Sequence, residues 1–463
     1  MQSVEKVFLI ITLFFGLIFA LINPPFQSPD EPEHLFKMFG YTKGVFKYQV
    51  LDGRTGLIMP ESFLKLKNMY GYLPFNYYAA TSPEILKYAS KIKLEPEKTI
   101  FVPHNPTSYL PISYFPIAIF MQIFIWLKLP PLIILFLLRI TELFLYTGLM
   151  WLAIRITPIK KWLFAFLGIL PMAVYIASSV NTDPWVIGLS VVLCAYFLKL
   201  AYDGAVEKIS IKQIGIVSIL LFVITLCKLA YLPLALLFFI IPKGKFLSRF
   251  ERLKYFLLVI FSGIIAFNLF IWYGMVNFGD IITISELQTT DSCTNLIEHI
   301  VLHPLYYLQK IHATLYTLYP IYFSTFIARF GWLDTFLPPL FIKIYWLILI
   351  FAAFAISKED EKLKIKFSDR LIFFVIVYLS FILICLSGFL TFKQLVPYIP
   401  GVQGRYFYPI APVIFMIFAN NTLKVSEKFL KNVIVITSVI GLSVSVYFII
   451  LRFYMTAAVQ MWY

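Results

Sequence analysis

The chain has 463 residues, of which 60% are hydrophobic, 18% aromatic and only 14% charged, with a mean hydropathy of +0.84, whereas soluble domains average roughly 45–50% apolar and 25% charged residues. An ordinary soluble enzyme is excluded, and no soluble domain of useful size remains. The formal charge of +15 does not call for nucleic acid, because Lys and Arg fall in short clusters between apolar segments, where the positive-inside rule expects them.

Apolar runs able to cross a hydrocarbon core of about 30 Å recur from Val7 to the last residues, so residues 1–463 read as a single all-α, polytopic membrane domain. The first run follows Lys6 and ends at Asn23, Pro24 and Pro25 without a clear small-x-small cleavage site, which reads as a retained span rather than a signal peptide. Clear spans are expected near 7–23, 131–154, 162–180, 184–202, 255–274, 338–357, 371–390, 409–423 and 432–451. Two stretches are ambiguous. Residues 108–128, interrupted by Pro111 and Pro116, put Arg155, Lys160 and Lys161 outside if they span, and inside if they form an interfacial or re-entrant helix. Residues 214–241 are too long for one span and short for two, but a hairpin turning at Lys228 on the outside puts Lys243, Lys245, Arg249, Arg252 and Lys254 inside.

With both choices made, eleven spans with the N-terminus inside satisfy every short basic cluster, including Lys358 to Arg370 and Lys424 to Lys431. The outer face then carries the loop 24–130, the turn around Asp183, the loop 275–337 and the loop 391–408. The inner loops hold no Gly-rich phosphate cradle and no metal-ligand spacing, so function is sought outside. Of the four cysteines, Cys194, Cys227 and Cys385 lie in apolar runs and Cys293 stands alone, so no disulfide framework is implied.

The first outer loop opens with Ser28-Pro29-Asp30-Glu31-Pro32-Glu33-His34. In a helix starting there, Asp30, Glu33 and His34 share one face and can serve as a general base or as metal ligands. Ser28 as N-cap, Pro29 in the first turn and Glu31 closing a capping box explain the same residues without chemistry. Further along stand His104, a metal or phosphate contact or simply a surface histidine, and Tyr109 and Tyr114, which also suit an interfacial belt. Asn181-Thr182-Asp183 is a polar turn that faces the same side as Asp30. Arg139 and Glu142, three apart within an apolar run, can pair with each other, and Lys228 is either a phosphate ligand or a snorkelling side chain. Arg329-Phe330-Gly331-Trp332-Leu333-Asp334 and Gln403-Gly404-Arg405-Tyr406 each put an arginine beside glycine and aromatics at an outer edge, with Arg405 the better placed to clamp a phosphate.

The run from Pro24 to His34, with Phe330-Gly331-Trp332-Leu333-Asp334 and Gln403-Gly404-Arg405-Tyr406, resembles a bacterial family of multi-spanning membrane proteins catalogued as a domain of unknown function and regarded as related to the GT-C glycosyltransferases. GT-C enzymes such as the protein O-mannosyltransferases and the lipid A aminoarabinose transferase use polyprenyl-phosphate sugars on the outer face. By position the resemblance implies Asp30, with Glu31 as alternate, as the acidic base or metal ligand. It matches Asp183 to a carboxylate after the third span and Lys228 to a lysine in the middle hairpin. Pro103-His104-Asn105-Pro106 stands where the aminoarabinose transferase has Glu-Lys-Pro.

The expectation is thus an inverting glycosyltransferase of the bacterial inner membrane that transfers a sugar from a polyprenyl phosphate to an envelope glycan, lipid or protein. Asp30 or Glu31 is its base, and Asp183, Lys228, Arg405, Tyr109 and Gln403 bind substrate. A divalent cation, Mg or Mn, is expected at Glu33, His34 or His104 if a metal is used. The competing classes are a flippase or transporter with Arg139, Glu142 and Lys228 along a charged path, and a non-catalytic polysaccharide assembly factor.

Overall fold

The computed structural model describes residues 3–103, 109–286, 293–356, 365–391, 397–419 and 423–455. The chain begins with α1 (Val4–Ile22), whose first turn is capped by the Ser3 hydroxyl accepting from the Lys6 N–H. The segment after α1 then folds as α2 (Glu31–Thr42), the strands β1 (Gln49–Leu51), β2 (Arg54–Pro60) and β3 (Thr99–Pro103), and, between the last two strands, α3 (Glu61–Tyr70) and α4 (Pro83–Ala89). The strands form an antiparallel sheet in the order β1-β2-β3, which the expectation of an all-α chain did not include. Alternation in β2 explains it, since Leu57 and Met59 are buried and Ile58 between them is exposed.

The chain returns through α5 (Phe115–Trp126) and continues as α6 (Pro131–Ile156), α7 (Lys161–Ile169), α8 (Pro171–Ala177), α9 (Asp183–Tyr202) and α10 (Ile211–Cys227). A 3-10 stretch, Leu229–Ile240, leads to α11 (Arg249–Glu286), α12 (Cys293–Leu302) and α13 (Pro304–Ile327), then to a hairpin of β4 (Arg329–Phe330) and β5 (Thr335–Phe336). The last third comprises α14 (Pro339–Phe354), β6 (Ala355–Ile356), α15 (Phe367–Thr391), a 3-10 segment Gly404–Ile410, α16 (Ala411–Phe418), β7 (Leu423–Lys424) and α17 (Glu427–Tyr454). Parallel pairing of β6 with β7 ties α14 to α17.

Among the described residues, six helices are long and apolar enough to cross a membrane: α1, α6, α9, α11 up to Val276, α15 and α17. Five shorter apolar helices accompany them among the described residues, so helices of spanning length coincide with six of the eleven expected crossings. At about 1.5 Å per residue, the 12 residues of α5 reach only about 18 Å and fall short of a bilayer, in keeping with an interfacial or re-entrant helix. The expected span 162–180 is broken into α7 and α8 by Pro171, which cannot donate into the helix ladder. Residues 275–337 are not a loop: α11 runs on to Glu286, and α12 and α13 account for most of the rest.

The centre of the bundle is α9, flanked by α6 and α10. Gly188 lets α9 approach α6 closely, because a Cβ there would stand 2.6 Å from Leu149 Cδ1 and 2.7 Å from its Cβ. The lipid-facing sides of α11 and α15 are rich in exposed Phe, Leu and Ile, as a bilayer requires.

Candidate functional site

Four charged side chains from distant parts of the sequence meet where α2 and α9 begin, α10 ends and the 3-10 segment Gly404–Ile410 begins. Asp183 starts α9, and a carboxylate at a helix N-terminus is favoured by the backbone dipole. Its N–H is held by Asn181 Oδ1 at 2.9 Å, and Asn181 Nδ2 donates to the Pro29 carbonyl at 3.4 Å, which ties this turn to Asp30. Lys228 caps the C-terminus of α10, where the dipole favours a cation. Its Nζ lies 3.5 Å from Asp183 Oδ1 and 4.1 Å from the centre of the Tyr406 ring.

Arg405 completes the group. Its segment is seated against α13 because Gly404 has no side chain: a Cβ there would strike the Tyr322 carbonyl and the Phe326 backbone, and the Gly404 N–H donates to Thr325 Oγ1 at 2.7 Å. The Arg405 side chain is 2% exposed. Its Nη2 donates to Asp30 Oδ2 at 2.9 Å, and its Nε lies 3.7 Å from Asp183 Oδ2. Arg405 Nε and Nη1 and Lys228 Nζ are buried without a hydrogen-bond acceptor among the described residues. Buried donors of this kind are costly unless a ligand supplies the acceptors.

Asp30 itself is held in an unusual backbone state, φ 61° and ψ 8°, as the N-cap of α2, a left-handed conformation uncommon for a side chain with a Cβ. Its carboxylate does not cap the helix and is half exposed. This corrects the expected cap, since Ser28 instead accepts at Oγ from Asn23 Nδ2 at 2.9 Å. Beside Asp30, Glu31 has another fate. It is fully buried and receives Arg139 Nε at 2.8 Å, Arg139 Nη2 at 2.6 Å, the Phe26 N–H at 3.0 Å and the Val180 N–H at 3.1 Å. Every face of that carboxylate is occupied, which leaves the alternate base without a free lone pair. Arg139 therefore pairs with Glu31 and not with Glu142 as the spacing suggested, and its Nη groups also hold the carbonyls of Ala20, Asn23 and Pro24.

An aromatic wall lines the other side. His34 Nδ1 is 2.8 Å from Tyr114 Oη, its ring lies 5.3 Å from that of Tyr109, and Tyr41 donates to the Tyr109 carbonyl at 3.0 Å. Burial pushes the His34 imidazole down to about 4, with Asp30 and Asp183 opposing the shift, so it is neutral at ordinary pH. Burial pushes the Tyr109 phenol up to about 12. Tyr231, whose hydroxyl donates to the Tyr406 carbonyl at 2.8 Å, borders Lys228 and was not singled out in the sequence; its place three residues after Lys228 is the only local signal. Gln403 lies at the edge, with Oε1 buried and unpartnered among the described residues.

Glu33 stands apart, with its carboxyl raised by burial and its nearest charges Lys67 and Asp30. His104 lies outside the described residues. Among the described residues no three His, Cys, Asp or Glu side chains group to hold a metal ion, and the cations facing Asp30 and Asp183 are Arg405 and Lys228.

The Phe330 to Asp334 motif braces the segment between α1 and α5. Trp332 Nε1 donates to the Phe26 carbonyl at 3.0 Å. Asp334 Oδ2 receives both the Phe75 N–H at 2.9 Å and Arg452 Nη2 at 2.8 Å. Arg329 turns to the Leu333 carbonyl at 2.7 Å and stacks on Phe336.

A polytopic helical bundle with a charge-balanced polar site at one end defines a multi-pass membrane protein. Residues 13–414 match the family described as Predicted membrane protein (DUF2142), and the chain belongs to that family. No curated protein and no solved structure matches the chain.

Proposed function

We propose that this protein is a GT-C-like inverting glycosyltransferase that moves a sugar from a polyprenyl phosphate to an acceptor hydroxyl at the outer face of the bacterial inner membrane. The observation that carries this reading is the pair of buried cations, Arg405 and Lys228, held by Asp183 with only long contacts and beside a half-exposed carboxylate, Asp30. Such cations suit a phosphate, and such a carboxylate suits proton removal.

In the proposed reaction Asp30 takes the proton of the acceptor hydroxyl, whose oxygen attacks the anomeric carbon from the side opposite the phosphate. The bond from that carbon to the phosphate oxygen breaks, and its electron pair stays on the departing polyprenyl phosphate. Arg405 and Lys228 stabilise the charge that develops there, while Asp183 keeps both cations in place. Tyr109, Tyr406 and Gln403 border the space for the sugar. No metal ion takes part in this step.

An open apolar groove of about 280 Å³, lined among others by Tyr322, Phe326, Trp346, Tyr378, Phe381 and Phe407, supports the same reading. Phe407 lies two residues from Arg405, so one short segment borders both the phosphate-binding cations and a surface fit for a prenyl chain.

The test is release of polyprenyl phosphate from a panel of polyprenyl-phosphate sugars by the purified protein, with envelope extract as acceptor source. Turnover by the wild type that collapses by roughly 100-fold or more in Asp30→Asn, as loss of a general base predicts, is the expected result. Intact donor binding without turnover by either protein would point to a flippase or an assembly factor.

A further inference from the structure

The two roles proposed for Asp30 and Arg405 conflict in the arrangement observed. The Asp30 oxygen that accepts from Arg405 Nη2 is occupied and does not face an acceptor hydroxyl, and the same guanidinium is the group offered to the donor phosphate. The contact is also lopsided. Asp183 is 9% exposed and faces both Arg405 and Lys228, whereas Asp30 is 50% exposed and holds Arg405 through one nitrogen at 2.9 Å. Solvent can take over the contacts of the half-exposed Asp30 carboxylate, whereas buried Arg405 depends on its neighbours.

Resting on the reading above, we propose that the Arg405–Asp30 ion pair is a resting-state latch that the donor phosphate opens, so that the donor binds before the acceptor can be deprotonated. The incoming phosphate offers oxygens to Arg405 Nη2 and to Nη1, which makes no hydrogen bond among the described residues, while Nε stays beside Asp183 Oδ2 at 3.7 Å. Arg405 then remains seated on Asp183 while Asp30 is released toward solvent and the acceptor. The left-handed backbone at Asp30, φ 61°, is a local strain of the kind found at switching positions, and it lets the carboxylate leave without undoing a helix cap. Asp183 is thus the anchor and Asp30 the mobile partner.

Competition between Asp30 and phosphate for one guanidinium is measurable without turnover. Binding of farnesyl phosphate is measured to the full-length protein in lipid nanodiscs, for wild type, Asp30→Asn and Asp30→Ala, each checked for a wild-type melting curve. The latch predicts that both variants bind the probe tighter by roughly threefold or more, because the ligand no longer displaces a side chain. It also predicts that this gain disappears in an Arg405→Gln background, whereas a gain from relieved through-space repulsion between Asp30 and phosphate would persist there. Unchanged or weaker binding in both variants, or a gain of the same size in the Arg405→Gln background, overturns the latch and leaves the phosphate site standing. Probe binding that Arg405→Gln and Lys228→Gln leave untouched removes the phosphate reading, and the latch with it.

Discussion

Asp30 and Glu31 are adjacent carboxylates whose surroundings separate their roles. Glu31 sits in a bidentate pair with Arg139 at 2.6 Å and 2.8 Å, fully buried, and removing one member of such a pair leaves an uncompensated charge that costs about 3–5 kcal/mol. Glu31→Gln is therefore expected to lower the melting temperature sharply and reduce the yield of monodisperse protein. Asp30→Asn leaves an amide oxygen that can still accept from Arg405 Nη2, and Asp183 stays beside Arg405 at 3.7 Å, so the variant is expected to keep the wild-type melting curve while losing turnover. A melting curve for Glu31→Gln like that of wild type would overturn this division of labour.

His34 makes a pH prediction of known sign. Its folded-state value of about 4 lies below the roughly 6.5 of an unfolded histidine. Between these values the unfolded chain binds a proton that the native chain does not. The stability it contributes is therefore complete above about pH 6.5 and is lost as pH falls toward about 4. Thermal unfolding of wild type and His34→Gln across that window should show a shallower decline in the variant. Arg405 and Lys228 already face Asp30 and Asp183, so treatment with a chelator is expected to leave turnover unchanged; loss of activity restored by Mg or Mn would place a cation in the site after all.

At the scale of elements, the site depends on how closely the 3-10 segment Gly404–Ile410 lies on α13. Gly404→Ala would push a methyl into the Tyr322 carbonyl and the Phe326 backbone, neither of which can swing away as a side chain does. The segment must shift and carry Arg405 with it. The expected outcome is a lower melting temperature together with weaker farnesyl phosphate binding, and a variant that binds normally would show that the seat is not needed. The sequence made part of this legible. Asp30, Asp183, Lys228 and Arg405 were each visible as polar residues at the outer end of an apolar run, and the charge rule alone sent those ends to one face. What remained hidden was pairing over distance. Arg139 and Glu142, three apart, looked like partners, whereas the true partner, Glu31, is 108 positions away. The cap at Asp30 was also hidden, because Ser28 and Pro29 fit a capping box as well as the observed left-handed turn does. The sheet β1-β2-β3 escaped notice because short strands inside an otherwise helical, apolar chain carry little periodic signal.

For the molecule as a whole, orientation follows from charge and is open to direct measurement. The site and the aromatic segment after α3 lie at the end where α1 finishes, and Tyr454 at the end of α17 donates to the Ile22 carbonyl at 2.8 Å. The opposite end carries Lys160, which holds the carbonyls of Ala353 and Ala355, and the basic residues before α11 and α15. Positive charge is retained on the cytoplasmic side, so the site should face away from the cytoplasm. Exposed Tyr78 reports the first end and Lys366 the second. Among the described residues the free cysteines, Cys194, Cys227 and Cys385, are buried, and replacing Cys293 by Ser gives a background for labelling. In intact spheroplasts, Tyr78→Cys is expected to react with a membrane-impermeant maleimide, and Lys366→Cys only after permeabilisation. The reverse pattern would put Asp30, Asp183, Lys228 and Arg405 on the cytoplasmic face, where a soluble nucleotide sugar would replace the lipid-linked donor as the substrate to test.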